Sequence, residues 1–397
     1  MFREILVPFF ISLFVFTGIL FLARILRLID LAINKNVPIG DILWLFSMII
    51  PRFLEMAVPM SLLIGTLVAF GRLSSDSELV VMRATGLSMR KLAIPVACFS
   101  FVAFGATLII ALTLRPWANY QLGVGMFELA KQKTSSALIQ GVFNDFGPLT
   151  IYSEHVEPKG GRLRNVIIAD EREEEPSTFV ASNGQIVSDD KQRTLTLRLY
   201  KGSIHQGGGL NYNVTDFDIN NIRLDFDVLE EGETTKTGKK TSEMYLGELN
   251  EVISNLRSKG SAIDDEDSTS LARAIVEWHR RLAVPSSCLF IAFVAMALGI
   301  QPSRGGDSWG AALNVAVGIL VIVGYYLLLA LLTAASRKSV ENAWVLMWVP
   351  NLVVAAASLA AFKLMESERW LSITQAMGHL FATIRQKIQS LTEKQRA

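Results

Sequence analysis

The chain has 397 residues, 51% of them hydrophobic and only 19% charged, with a formal net charge of +1. A soluble domain carries about a quarter charged residues, so this balance marks a membrane protein diluted by a polar portion. It offers no basic field for nucleic acid. The two cysteines, Cys98 and Cys288, lie inside apolar runs, which excludes a disulfide framework or a cysteine zinc site.

Six runs are long enough to cross a bilayer, which takes about 20 apolar residues: 5–22, 42–70, 92–114, 282–300, 311–335 and 343–362. The first follows Arg3 as a signal peptide would. Its apolar core is too long, and Ala23-Arg24-Ile25-Leu26-Arg27 offers no small-residue cleavage site, so we read a retained span. The second run exceeds what a span needs and contains Pro51, Arg52, Glu55 and Pro59. Its first part is expected to lie along the membrane interface. Arg52 and Glu55, three apart on one helix face, are expected to neutralise each other as a structural pair rather than to relay protons.

Between spans two and three, Ser75-Asp76-Ser77-Glu78 has the pattern of a capping box, and Gly86 suits a left-handed helix stop. A short helix over 75–86 with apolar residues toward water needs a cover. Physics alone leaves open the membrane interface or another protein.

The arrangement is three spans, a polar insert over 115–281, and three spans. Inside the insert the period becomes two. Leu195, Leu197 and Leu199 alternate with polar residues, as do Ile222, Leu224, Phe226 and Val228. Shorter runs at 137–143, 149–156, 163–169 and 179–187, with turn signals such as Asn183-Gly184, complete the pattern of an antiparallel sandwich, jelly roll or barrel. A helix is expected over 246–256, an acidic linker over 263–270, and a helix from about Thr269 into span four. The tail over 365–397 has helical apolar spacing and reads equally as a surface-lying or a solvated helix.

An even number of spans puts both termini on one side. Arg3, Arg72, Arg83, Arg90, Lys91, Arg304, Lys363 and Arg369 flank spans there, against Arg24, Arg27, Lys35, Arg337 and Lys338 opposite. The positive-inside rule therefore favours cytoplasmic termini and an external insert. No phosphate-binding loop, metalloprotease motif or nucleophile elbow is present, and the four histidines are scattered. No catalytic, cofactor or metal residue is assigned. Active transport would have to draw its energy from a partner or an ion gradient.

The loop also carries a resemblance. Gly71-Arg72-Leu73-Ser74-Ser75-Asp76-Ser77-Glu78-Leu79 and Met82-Arg83-Ala84-Thr85-Gly86-Leu87-Ser88 resemble the family of lipopolysaccharide-export permeases, LptF and LptG. The likeness continues in Pro51-Arg52-Phe53-Leu54-Glu55 with Pro59, in 179–187, and in Glu277-Trp278-His279-Arg280-Arg281 with Pro285. The second span and the loop lie nearer the LptF branch. The tail departs from the pattern.

The resemblance implies an α-helical membrane protein of six transmembrane helices (3+3) with an inserted periplasmic antiparallel β-jelly-roll domain. Its parts would be 1–114 (spans one to three), 115–281 (β domain), 282–364 (spans four to six) and a cytoplasmic tail. The implied function is the permease subunit of an ATP-driven exporter in the bacterial inner membrane. It would pair with an LptG-like subunit, a cytoplasmic LptB-like ATPase dimer and an LptC-like bridge, with lipopolysaccharide as cargo and spans one and five as cavity walls.

From these implications come the site expectations. Glu78 and Arg83, with apolar Leu79 and Met82, would contact the ATPase. Arg24 and Arg27 would hold lipid phosphates, and Leu197 and Phe226 would line the lipid path. The rival readings are an exporter permease with a force-transmitting β domain, a gradient-driven transporter, and a membrane scaffold with a receptor domain.

Overall fold

A computed structural model describes residues 2–35, 38–137, 139–145, 149–157, 161–172, 176–190, 192–207, 212–224, 239–259, 264–300, 308–337 and 342–366. Among these, six helices are long and apolar enough to cross a membrane, as the sequence implies. The described residues divide into two compact units. One gathers the N-terminal residues to Ile25, Ile49–Ala118 and the chain from Met244 onward; the other gathers Leu26–Met48 and Asn119–Glu243.

The first unit is helical. It draws on α1 (Phe2–Lys35), α2 (Ile39–Ser75), the short α3 (Glu78–Ala84) and α4 (Met89–Ile109). A π-helical turn over Ile110–Leu114 joins α4 to α5 (Arg115–Ala137). After the β domain come α6 (Leu246–Ser258), α7 (Asp265–Ser286), α8 (Cys288–Gly299), α9 (Ser308–Ser336) and α10 (Ala343–Glu366). Contrary to expectation, α2 is one continuous helix despite Pro51 and Pro59, with no separate interfacial segment. α7 begins at Asp265, so Asp267 sits in a first helical turn, where the helix dipole favours a carboxylate, rather than in a linker.

The bundle core is made by α2, α4 and α8, where Leu62, Leu63, Ile291 and Met296 are fully buried. Asn351 is a buried polar residue whose amide is fully engaged, as a low-dielectric interior demands. Asn351 Nδ2 donates to the Ala283 carbonyl (2.6 Å) and to Ser286 Oγ (2.8 Å). Its Oδ1 accepts from Tyr325 OH (3.0 Å), so one amide ties α7, α9 and α10 together.

The second unit holds a six-stranded antiparallel sheet in strict sequence order. Its strands are β1 (Phe143–Asp145), β2 (Leu149–Val156), β3 (Arg162–Asp170), β4 (Ser177–Asp189), β5 (Thr194–Gln206) and β6 (Asn213–Leu224). The expected strand over 137–143 is replaced by the end of α5 and the short β1. β6 begins well before Ile222. Its polar run escapes a periodicity search because it is an edge strand paired with β5 alone among the described strands, and of its residues 213–223 only Ile222 is buried.

The inward face does not keep one alternation along the strands. On β3, Leu163 and Val166 are both buried, three apart, and Asn165 between them has φ 48°. Their partners on β4, Gly184 and Ala181, shift in the same way. On β5 the break falls at Lys201 (φ 52°), beside Gly202, which pairs with Ala181. Left-handed non-glycine residues are uncommon. Here they lie in register across neighbouring strands and move the sheet's inner face by one residue along a shared line.

α5 is fastened within this unit. Arg193, at the β4–β5 turn, donates through Nη2 to Glu243 Oε2, and its guanidinium lies 5.2 Å from the centre of the Tyr120 ring. Lys239 approaches the same ring at 5.2 Å. Asn119 Nδ2 donates to the Ser242 carbonyl (3.1 Å).

Candidate docking helix, lipid path and buried charge cluster

The α2–α3 junction departs from the capping box. Ser75 closes α2, and its hydroxyl donates back to the Arg72 carbonyl (2.9 Å). The residue preceding α3 is Ser77, in the left-handed conformation (φ 59°), and its side chain makes no cap. Its carbonyl accepts from Val80 N (3.1 Å) and Val81 N (3.2 Å). The other end follows the sequence reading. Gly86 has φ 87°, its amide donates to the Arg83 carbonyl (3.0 Å), and Leu87 N donates to Met82 O (3.2 Å). These two bonds form a Schellman stop that only glycine adopts without strain.

This geometry sorts the expected contact residues. Leu79 is 4% exposed and packs in the bundle's own core, which corrects its assignment to a partner contact; Met82 is half-buried against the same core. Glu78 is exposed and Arg83 half-buried. The outward apolar surface belongs instead to Val80 (53% exposed) and Val81 (62%). The sequence pattern missed them because adjacent valines on a helix of about two turns carry no amphipathic signal.

Leu197 is fully buried with Ile151, Val166 and Leu199, so in this conformation it packs a closed sheet core. Phe226 lies outside the described residues. Arg24 and Arg27 fall within α1, but their side chains are outside what the structure describes.

The spans differ greatly in cover. Span two (Gly40–Ser75) and span four (Asp267–Gly299) are 72% and 67% buried inside the chain, whereas span one (Phe2–Ala23) and span five (Asn314–Ser336) are 11% and 22% buried. Phe10, Ile11, Phe14 and Ile19 on α1 and Leu320, Val323, Leu327 and Leu331 on α9 are exposed large apolar residues.

A charge cluster is buried in the helical unit. Glu55 of α2 lies 3.2 Å from Arg115 Nε and 3.9 Å from Arg280 Nη2. Glu277 of α7 lies 3.1 Å from Arg115 Nη1, 3.3 Å from Arg280 Nε and 2.8 Å from Arg281 Nε. Arg281, fully buried, also donates through Nη1 to the Met244 carbonyl. Arg115 is therefore a buried ion-pair residue, not merely a flank of the insert. Glu55 also meets Arg115 and Arg280, partners that the pairing with Arg52 expected from the sequence did not include. Sequence spacing cannot reveal this, because the partners come from helices far apart in the chain.

Six membrane-spanning helices interrupted by one antiparallel β domain define a multi-pass membrane protein with an inserted extramembrane domain. The family model "Lipopolysaccharide export system permease LptF/LptG" matches residues 1–364. The lipopolysaccharide export system permease protein LptF of Escherichia coli strain K12 is 23% identical over 368 residues, covering 90% of this chain and 92% of that protein. LptF of Shigella flexneri matches to the same extent. The chain belongs to the LptF/LptG family of lipopolysaccharide export system permeases.

Proposed function

We propose that this chain is the permease subunit of an ATP-driven exporter that extracts lipopolysaccharide from the outer leaflet of the bacterial inner membrane. It works beside an LptG-like subunit and takes its energy from an LptB-like ATPase dimer seated on α3. It delivers the lipid through its β domain, in the periplasm, to an LptC-like bridge. The termini are cytoplasmic. The chain hydrolyses nothing itself and needs no cofactor of its own.

The observation that carries this reading is the unequal cover of the spans. α1 and α9 leave apolar faces bare that acyl chains and a second permease subunit would fill, while spans two and four already form a packed brace. Arg24 and Arg27 supply guanidinium groups suited to bidentate contact with lipid phosphates. In the β domain, passage requires the core around Leu197 to open, and we assign Phe226 to the same lipid path.

The test is photocrosslinking in cells. A crosslinker at Phe14 of α1 or Leu331 of α9 should capture lipopolysaccharide, and one at Leu62 should not. Capture at Leu197 should require ATP hydrolysis. Equal capture at Phe14 and Leu62, or none at any exposed α1 or α9 position, would refute the lipid-cavity assignment.

A further inference from the structure

The buried cluster joins two anions to three cations, and its contacts are unequal. Arg281 is fixed by a 2.8 Å hydrogen bond to Glu277 and by the Met244 carbonyl. Arg115 and Arg280, in contrast, are each shared between Glu55 on α2 and Glu277 on α7. The side toward Glu55 is loosely aligned. Arg280 hydrogen-bonds Glu277 (3.3 Å) but stands 3.9 Å from Glu55, whose Oε1 makes no hydrogen bond; Arg115 is loosely aligned toward both carboxylates, since neither its Nε, 3.2 Å from Glu55, nor its Nη1, 3.1 Å from Glu277, forms one. Charges so buried cannot separate without a large desolvation cost. They can pass from one carboxylate to the other, because a guanidinium held between two anions keeps a counter-charge throughout the move.

Each helix carrying the cluster also has a backbone irregularity beside its charged residue. Pro59 removes the amide that would bond the Glu55 carbonyl, and Pro285 the one that would bond the Arg281 carbonyl. The π-helical turn Ile110–Leu114 ends immediately before Arg115. Prolines and π turns are where helices bend. Two prolines and a π turn beside one charge cluster would only weaken a static brace, whereas they supply bending points for helices that change register.

We propose that this cluster is a two-position ion-pair latch: spans two, three and four exchange between an arrangement in which Arg115 and Arg280 bridge Glu55 and Glu277 and one in which Glu277 alone holds them. The fixed Arg281–Glu277 pair is the pivot. The idea stands apart from the identity of the cargo, so its test uses neither lipid capture nor transport.

The full chain, isolated from membranes with whatever subunits accompany it, is spin-labelled at Val68→Cys of α2 and Phe101→Cys of α4 in a Cys98→Ser background. Both label sites are exposed, and Cys288 is buried. Distance distributions by electron paramagnetic resonance should show two populations. Glu55→Gln should collapse them to one. Arg280→Lys, which keeps the charge but shortens the reach across the 3.9 Å contact to Glu55, should shift their ratio toward the Glu55-free arrangement. The charge exchange Glu55→Arg with Arg115→Glu should bring the second population back. A single population in the unsubstituted chain, or two populations unchanged by Arg280→Lys, would overturn the latch and leave a static brace. The lysine variant decides the matter even if Glu55→Gln fails to fold.

Discussion

Gly202 stands so close to the carbonyl of Val180 that a Cβ on it would lie 2.2 Å from that oxygen and 2.8 Å from the Phe217 ring. The contact falls where the sheet's inner face shifts by one residue, beside Lys201 at φ 52°. The backbone itself is the obstacle, so no rotamer change relieves it. Gly202→Ala should destabilise the β domain by about 2–3 kcal/mol, at the upper end of overpacking costs. Gly247→Ala, where nothing lies within 4 Å of the added methyl, should be close to neutral. Limited proteolysis of the full chain in detergent, with cleavage sites mapped, distinguishes the two.

The ion pairs of the β domain predict opposite pH responses. Burial pushes the Glu243 carboxyl above its ordinary value, outweighing the opposing hydrogen bond from Arg193. The folded state then holds a proton that the unfolded chain has released, so stability falls as pH rises from the usual carboxylate value through the raised one. Glu243→Gln should flatten that decline. The Arg172 guanidinium, bonded to both Asp170 oxygens, holds the Asp170 carboxyl below its ordinary value, with burial opposing it. Its contribution is full above the unfolded value and is lost as pH falls through the folded one. Asp170→Asn should therefore cost stability at neutral pH and little in acid. Thermal unfolding between pH 3 and pH 7 reads both slopes.

At α3, Glu78→Ala and Val81→Asp should each release the ATPase from the purified complex or uncouple hydrolysis from transport. Ser75→Ala should do neither, because its hydroxyl bonds within α2 rather than capping α3. Gly86→Ala should act indirectly, forcing a left-handed alanine at a cost of about 1 kcal/mol. Retention of the ATPase on an affinity column, with hydrolysis rates, is the measurement. Full retention and coupling in both Glu78→Ala and Val81→Asp would remove α3 as the dock.

Reversing charge at Arg24 and Arg27 together should reduce lipopolysaccharide binding and growth. Unchanged binding in purified complexes would show that they only anchor the span at the interface.

The orientation is read by cysteine labelling in a Cys98→Ser background. Glu171→Cys, exposed after β3, should react with an impermeant thiol reagent once the outer membrane is permeabilised, and Ser88→Cys should not. The reverse pattern would invert the proposed topology.

Span number, the β character of the insert and the helix stop at Gly86 were legible in the sequence because each depends on local physics. A run of some twenty apolar residues has few fates but a bilayer. Alternation of leucines with polar residues suits one wet and one dry face, and a left-handed stop needs glycine. Tertiary structure alone decided which residues serve which neighbour. Leu79 turns inward while Val80 and Val81 project, because helix phase is set by what α3 packs against. β6 pairs through a polar stretch because an edge strand needs only one partner. Lys201 and Asn165 adopt left-handed backbones because neighbouring strands must shift together. Arg115 reaches Glu55 and Glu277 because a π turn sets the phase of its helix and the fold brings α2 and α7 to it. Charges that meet across far-separated helices leave no periodicity along the chain.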